Sequence, residues 1–218
     1  TIMSENTQTV FIVDDDVSFL ATMSRWLRAF GYTVKSFTSA ADFLAQRSTD
    51  AAGCVVADLQ MPGMDGMALQ ATLAQLDNPL PIVFLTGHGD IPTSVRAMRS
   101  GAEDFLLKTA SKEDLLAAVE RALTRDLYEH EIRRRQYHLA QRFAKLTPRE
   151  NEVLSHVLQG WLNKQIAAEL GIDERSVKRH RHSVMEKLDV KSVVELTQLV
   201  DETQSHNVMP ILGDAVAL

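Results

Sequence analysis

No apolar stretch in this sequence approaches the roughly 20 residues that a membrane-spanning helix needs, and no charged-then-apolar leader stands at its beginning. The expectation is a cytoplasmic protein with no membrane partner. Cysteine is almost absent: Cys54 stands alone, which excludes an intramolecular disulfide and fits a reducing compartment. Basic residues are scarce in the first half, where residues 1–124 hold 9 Lys and Arg against 15 Asp and Glu. Residues 125–200 reverse the balance, with 14 basic against 11 acidic. They bunch their cations at Arg133, Arg134 and Arg135 and again at Arg175, Lys178, Arg179 and Arg181. Only the second half is suited to meet a polyanion. Glycine and proline are both missing from Ser111 to Leu146, so nothing there interrupts a helix.

What is present in 218 residues, 45% of them hydrophobic, is enough for two ordinary domains. In the first half short β-branched or apolar runs, "TVFIV", "TVKSF", "GCVVAD", "PIVFLT" and "EDFLLK", alternate with amphipathic stretches. Five such units predict an α/β fold, a parallel doubly wound sheet whose ligand site lies beyond the carboxyl ends of its strands. Asp14, Asp15, Asp58, Thr86 and Lys108 all fall at those ends and are expected to share one rim. Two adjacent carboxylates, a third from another strand and a lysine suit a hard cation together with a phosphoryl group, because Mg²⁺ prefers oxygen ligands. Asp16 is better read as the cap of the following helix, which favours a carboxylate at its positive end. Ser111 with Asp114 is a plausible cap for one long helix, whose basic run is best read as a solvated face. Carried through Ala144 at ~1.5 Å per residue, that helix would hold the second domain well away from the first.

The motifs "VDDD", "VVADLQMPGMDG", "FLTGHGD" and "DFLLK", in this order over about residues 7–125, resemble the receiver domain of two-component response regulators, with its CheY-like five-stranded fold. The resemblance implies that Asp58 is the phosphoacceptor and that Asp14 and Asp15 form its acidic pair. It implies Mg²⁺ held by Asp15, Asp58 and the carbonyl of Gln60, with Asp14 reached through water. Thr86 and Phe105 fall on the family's switch positions and Lys108 on its phosphate-pairing lysine, although Phe105 is equally well read as an ordinary core aromatic. His88 is read as a loop residue. One departure concerns Lys108. The family has proline after this lysine, in a cis peptide, whereas Thr109 follows here. A cis bond before a non-proline residue costs ~2.5–4 kcal/mol. A trans Lys108–Thr109 bond is therefore expected, with Lys108 turned away from the rim.

Beyond a helical linker at 126–144, Thr147, Pro148 and Glu150 read as a capped helix start. Short helices are expected at about Pro148 to Gln159, Lys164 to Leu170, Glu174 to Leu188 and Ser192 to Glu202. The pair around "GID" is a candidate helix-turn-helix. On the helix from Glu174, Val177, Val184, Met185 and Leu188 share one face at ~100° per residue, while Arg175, Arg179, His182 and Ser183 share the other. Arg181 falls in the apolar arc, and an internal ion pair with Glu150 or Glu152 is expected for it. The stretch from Leu146 to about residue 200 resembles the LuxR-type DNA-binding domain, an all-α four-helix unit assigned to 145–202. Trp161 and Leu162 stand where smaller or polar residues are common. By that resemblance Lys178, Arg179 and His182 face bases, while Asn163, Lys164 and Ser176 meet phosphates and Arg175 lies on the same DNA side. Residues 203–218 receive no role.

Together the two motif sets resemble the FixJ/NarL class of transcription factors, and within it the regulators of bacterial aromatic catabolism. The class implies phosphorylation by a cognate sensor histidine kinase, a homodimer when phosphorylated, promoter DNA and RNA polymerase as partners, and no enzyme activity beyond Mg²⁺-dependent self-phosphorylation and slow self-dephosphorylation. Two rivals stay open. A Mg²⁺-dependent phosphohydrolase could use the same carboxylates, but Gln60 stands two residues after Asp58 where a second catalytic acid would be needed. A module controlled by a small ligand would bind DNA in response to an aromatic compound without phosphorylation.

Overall fold

In the computed structural model, which describes residues 8–87 and 89–205, the five predicted strands form one parallel sheet in the order β2-β1-β3-β4-β5. They are β1 (Thr9–Val13), β2 (Thr33–Phe37), β3 (Gly53–Ala57), β4 (Ile82–Thr86) and β5 (Asp104–Leu107). β1, β3 and β4 are buried along their whole length, as strands covered on both faces must be. Helices α1 (Val17–Ala29), α2 (Ala40–Gln46), α3 (Gly66–Ala74), α4 (Ile91–Arg99) and the start of α5 (Lys112–Phe143) complete the alternation. One apolar cluster joins Phe11, Phe43, Leu69, Leu73 and Phe84 on one side of the sheet. A second joins Ile12, Leu27, Val56, Leu115 and Val119 on the other. This is the doubly wound arrangement expected.

The chain divides into two compact units, one up to Glu131 and one from Ile132. Asp126, which the sequence reading gives to the linker, is 1% exposed and accepts the Gly53 N–H at 2.7 Å. In the second unit α6 (Pro148–Leu158), α7 (Asn163–Leu170), α8 (Glu174–Leu188) and α9 (Val193–Ser205) enclose a core of Val153, Leu154, Ile166, Val177, Val184, Leu188 and Leu196. Phe143, from the end of α5, packs into the same core. The Thr147 capping box is present at α6, and Ser111 accepts the Asp114 N–H at the start of α5. Gly171 ends α7 in the left-handed conformation, φ 63°, where a Cβ is disfavoured. α9 runs three residues beyond its expected end at Glu202. His88 and the tail from His206, read from the sequence as a loop residue and a segment without a role, lie outside the described residues. No helix among the described residues is long and apolar enough to cross a membrane.

Candidate functional site

Register builds the acidic rim. Val13 of β1 stands opposite Ala57 of β3, so Asp14 and Asp58, each one residue further on, leave the sheet side by side at the β1/β3 switch point of the strand order. Asp58 is fixed there because its N–H donates to the Val13 carbonyl at 2.9 Å, and Asp14 because its N–H donates to the Phe37 carbonyl at 3.1 Å. Gly66, at the start of α3, packs so closely that a Cβ would lie 2.5 Å from the Asp58 carbonyl oxygen. On the far side Thr86 pairs with Leu107, and the Lys108 N–H donates to the Thr86 carbonyl at 2.8 Å. The five residues expected at one rim are thus held at adjoining strand ends.

Lys108 lies in the rim and not away from it, which corrects the expectation drawn from Thr109. Its Nζ stands 2.6 Å from Asp14 Oδ2 and 2.8 Å from Asp58 Oδ2. It donates a well-aligned hydrogen bond to Asp58 and meets Asp14 as an ion pair without one. The peptide bond after it is trans, as expected. The lysine stem reaches both carboxylates regardless, so the bond isomer does not decide where the ammonium goes. Phe19 of α1 adds a third contact, with its ring centroid 4.3 Å from Nζ.

The electrostatics are strained. Burial pushes the Asp14 carboxyl above its ordinary value, although Lys108 and the Asp16 N–H oppose the rise. Desolvation pulls the Lys108 ammonium down, but its bonds to Asp14 and Asp58 outweigh that and hold its pKa above the usual value. The two directions conflict, since one disfavours charge on the pair and the other favours it. The two short contacts make the charged pair the better description, with Asp14 left short of compensation. One carboxylate oxygen from each of Asp14, Asp15 and Asp58 lies within 4.8 Å of the others, with Asp15 exposed and the other two buried. An all-oxygen set of this charge fits a hard divalent cation such as Mg²⁺. The Gln60 N–H approaches Asp58 Oδ1 at 3.3 Å. An open cleft of about 600 Å³ runs from Asp15 and Gln60 to Asp90 and Arg96. The Asp16 carboxylate, as expected, caps α1 by accepting the Ser18 and Phe19 N–H groups. Thr86 is buried and Phe105 half-buried, the latter with its ring 6.1 Å from that of Phe84.

The second unit presents exposed basic residues mainly along α8. Arg175, Lys178, Arg179 and His182 are exposed, as is Lys164 on α7. Ser176 is part-buried and donates its hydroxyl to Asp173, the cap of α8. Asn163 accepts from Arg181 at 2.8 Å, so only its NH₂ is left to serve a phosphate. This corrects the partner expected for Arg181, because Lys187 takes Glu150 at 2.6 Å and Arg149 takes Glu152. Ser183 is likewise misplaced on the outer face: it is part-buried and donates to Glu150 at 2.6 Å. Burial alone would raise the Glu150 carboxyl, but Lys187, Ser183 and the Thr147 backbone N–H hold it down at about 2.

Comparison with known proteins gives the same division. Residues 10–120 match the family described as the response regulator receiver domain, and residues 144–200 match the bacterial regulatory proteins of the luxR family. The response regulator protein TmoT of Ectopseudomonas mendocina is 42% identical over 199 residues, 91% of this chain and 90% of its own length. The transcriptional regulatory protein FixJ of Bradyrhizobium diazoefficiens is 35% identical over 190 residues, 87% and 93% of the two chains. Among solved structures, that of the response regulator StyR superposes with a TM-score of 0.83 at 45% identity, covering 90% of this chain and 99% of that one. The chain belongs to the FixJ/NarL class of two-component response regulators, pairing a receiver domain with a LuxR-type DNA-binding domain in the service of transcription regulation.

Proposed function

We propose that a cognate sensor histidine kinase phosphorylates Asp58, and that the phosphorylated protein dimerises, binds promoter DNA and activates transcription with RNA polymerase in the cytoplasm. The observation that supports this reading best is the Lys108 ammonium shared between Asp14 and Asp58. A half-buried cation already beside the acceptor oxygen is placed to meet the charge of an arriving phosphoryl group, so position and electrostatics do most of the catalytic work. Asp15, Asp58 and the Gln60 carbonyl would hold Mg²⁺, with Asp14 reached through water. Bound there, the ion supplies neutralisation of the phosphoryl oxygens. An Asp58 oxygen attacks phosphorus in line while the donor's bond breaks on the opposite side, and Lys108 accompanies the transferred oxygens. Thr86 and Phe105 carry the change onward. Catalysis by the chain is confined to this self-phosphorylation and a slow self-dephosphorylation, since Gln60 provides no second acid.

On the DNA side, Lys178, Arg179 and His182 read base edges, while Arg175, Lys164, Asn163 and Ser176 lie against phosphates. The exposure of Arg175, Lys178, Arg179 and His182 along α8 and of Lys164 on α7 supports a DNA-facing surface there. Incubation with acetyl phosphate and Mg²⁺ tests the first step. It is expected to yield an acid-stable, base-labile acyl phosphate that Asp58→Asn abolishes and Asp15→Asn weakens, because a direct Mg²⁺ ligand loses its charge. Undiminished label in Asp58→Asn would exclude the assignment.

A further inference from the structure

Phe19 meets the Lys108 ammonium without carrying a charge of its own. Its ring lies 4.3 Å from the ammonium, within the distance at which the negative face of an aromatic attracts a cation. The ring is itself held. The Phe19 N–H donates to the capping carboxylate of Asp16 at 3.1 Å, and the side chain packs against the apolar cluster between α1, α5 and the sheet. Lys108 ends a flexible stem and is followed by Thr109, so neither side chain nor loop is rigid in itself.

We propose that Phe19 is a positioning residue for phosphoryl transfer, its ring holding the Lys108 ammonium over the acidic rim through a cation–π contact. The proposal rests on the reading of Asp58 as phosphoacceptor and Lys108 as its cation. An aromatic suits this place better than a third carboxylate. A carboxylate would hold the lysine more tightly, but it would use an ammonium hydrogen and cancel charge that the phosphoryl oxygens need. The ring consumes no hydrogen-bond donor. Asp58 accepts one ammonium hydrogen and Asp14 faces the charge as an ion pair, so an aromatic third neighbour leaves donor capacity for the phosphoryl oxygens. The attraction to a ring face is also weakly directional, so the ammonium can follow the charge from the carboxylates to the new phosphoryl group without losing its support.

Replacement of Phe19 in the full-length protein by 4-fluoro-, 3,5-difluoro- and 3,4,5-trifluorophenylalanine tests this, because fluorine weakens the negative ring face while nearly preserving ring shape. The readout is the initial rate of acyl-phosphate formation from acetyl phosphate at saturating Mg²⁺. The rate should fall at each step, to about threefold to tenfold below the parent for the trifluoro ring, and F19L should be at least as slow. Equal rates across the fluorinated series would overturn the proposal, even with a slow F19L, since that pattern means apolar packing alone. If F19L does not fold, the fluorinated series decides by itself. Asp58→Asn in the same assay separates the two claims. Label in that variant overturns the phosphoacceptor reading and the role of Phe19 with it, whereas a flat series with label confined to Asp58 overturns the role of Phe19 alone.

Discussion

Each unit of this protein sets a half-buried lysine against buried carboxylate, and the two clusters have opposite characters. In the second unit Glu150 is met by Lys187, Ser183 and the Thr147 N–H, and its pKa falls to about 2. In the first, Asp14 is pushed upward by burial although Lys108 is 2.6 Å away. A carboxylate with donors on every side is a strut that pins α6 to α8. Two buried carboxylates that share one lysine have charge left uncompensated, and they gain by taking up a cation or passing charge to a ligand. The difference teaches that the degree of compensation, more than the presence of a buried ion pair, separates structural from functional clusters.

The largest expected effect sharpens the structural side of that comparison. Glu150→Ala should destabilise the second unit by about 2–3 kcal/mol, because it breaks the capping box and leaves the Thr147 N–H, Lys187 and Ser183 without their acceptor. Trp161 is one of only two tryptophans, so denaturant unfolding followed by its fluorescence in a Trp26→Phe background checks this. A second unit as stable as the parent would break the comparison. The pH dependence follows from the same residue. Its folded pKa lies below the ordinary 4.5, so its contribution is complete above that value and is lost as pH falls from about 4.5 toward 2. The loss should be about 2 kcal/mol, allowing for the partial exposure of Lys187. Glu150→Gln should flatten this acid limb.

The cationic face of α8 provides the functional counterpart in the second unit, and effects there should be comparable or smaller. Arg179→Ala should weaken operator binding and relax preference at one base position by ~1–3 kcal/mol, measured by titration against a panel of single-base variants. Lys164→Ala should have the smallest effect. It should weaken all sequences alike and lower the salt-dependence slope by about one. Operator affinity unchanged in both variants would remove the DNA surface from α7 and α8.

Legibility in the sequence differed between the two sites. The strands, their order of use and the convergence of Asp14, Asp58, Thr86 and Lys108 could be read because parallel strands place their carboxyl ends together whatever the loops do. The inward face of α8 could be read from its period, as Val177, Val184 and Leu188 bear out. Side-chain partners could not. Arg181 and Lys187 both border the apolar arc of α8, and only the packing of α6 and α7 against it decides that Arg181 meets Asn163 while Lys187 meets Glu150. The orientation of Lys108 is not legible for a related reason: Thr109 bears on the backbone, whereas two carboxylates attract the ammonium directly. Phe19 had only a faint signal, an aromatic in the first turn of the helix that follows the acidic strand end.

In the function proposed above, phosphoryl charge at the undercompensated cluster governs DNA binding by bringing two chains together. Pairing two receivers would raise the effective concentration of the second DNA-binding domain at the second half-site without any new base contact. The most direct test is titration of the full-length protein on one-half-site and two-half-site DNA, with and without a beryllium fluoride phosphoryl mimic, alongside light scattering. The account predicts a shift from monomer to dimer and much greater tightening on the two-half-site DNA. An unchanged mass, or equal tightening on both DNAs, would contradict it.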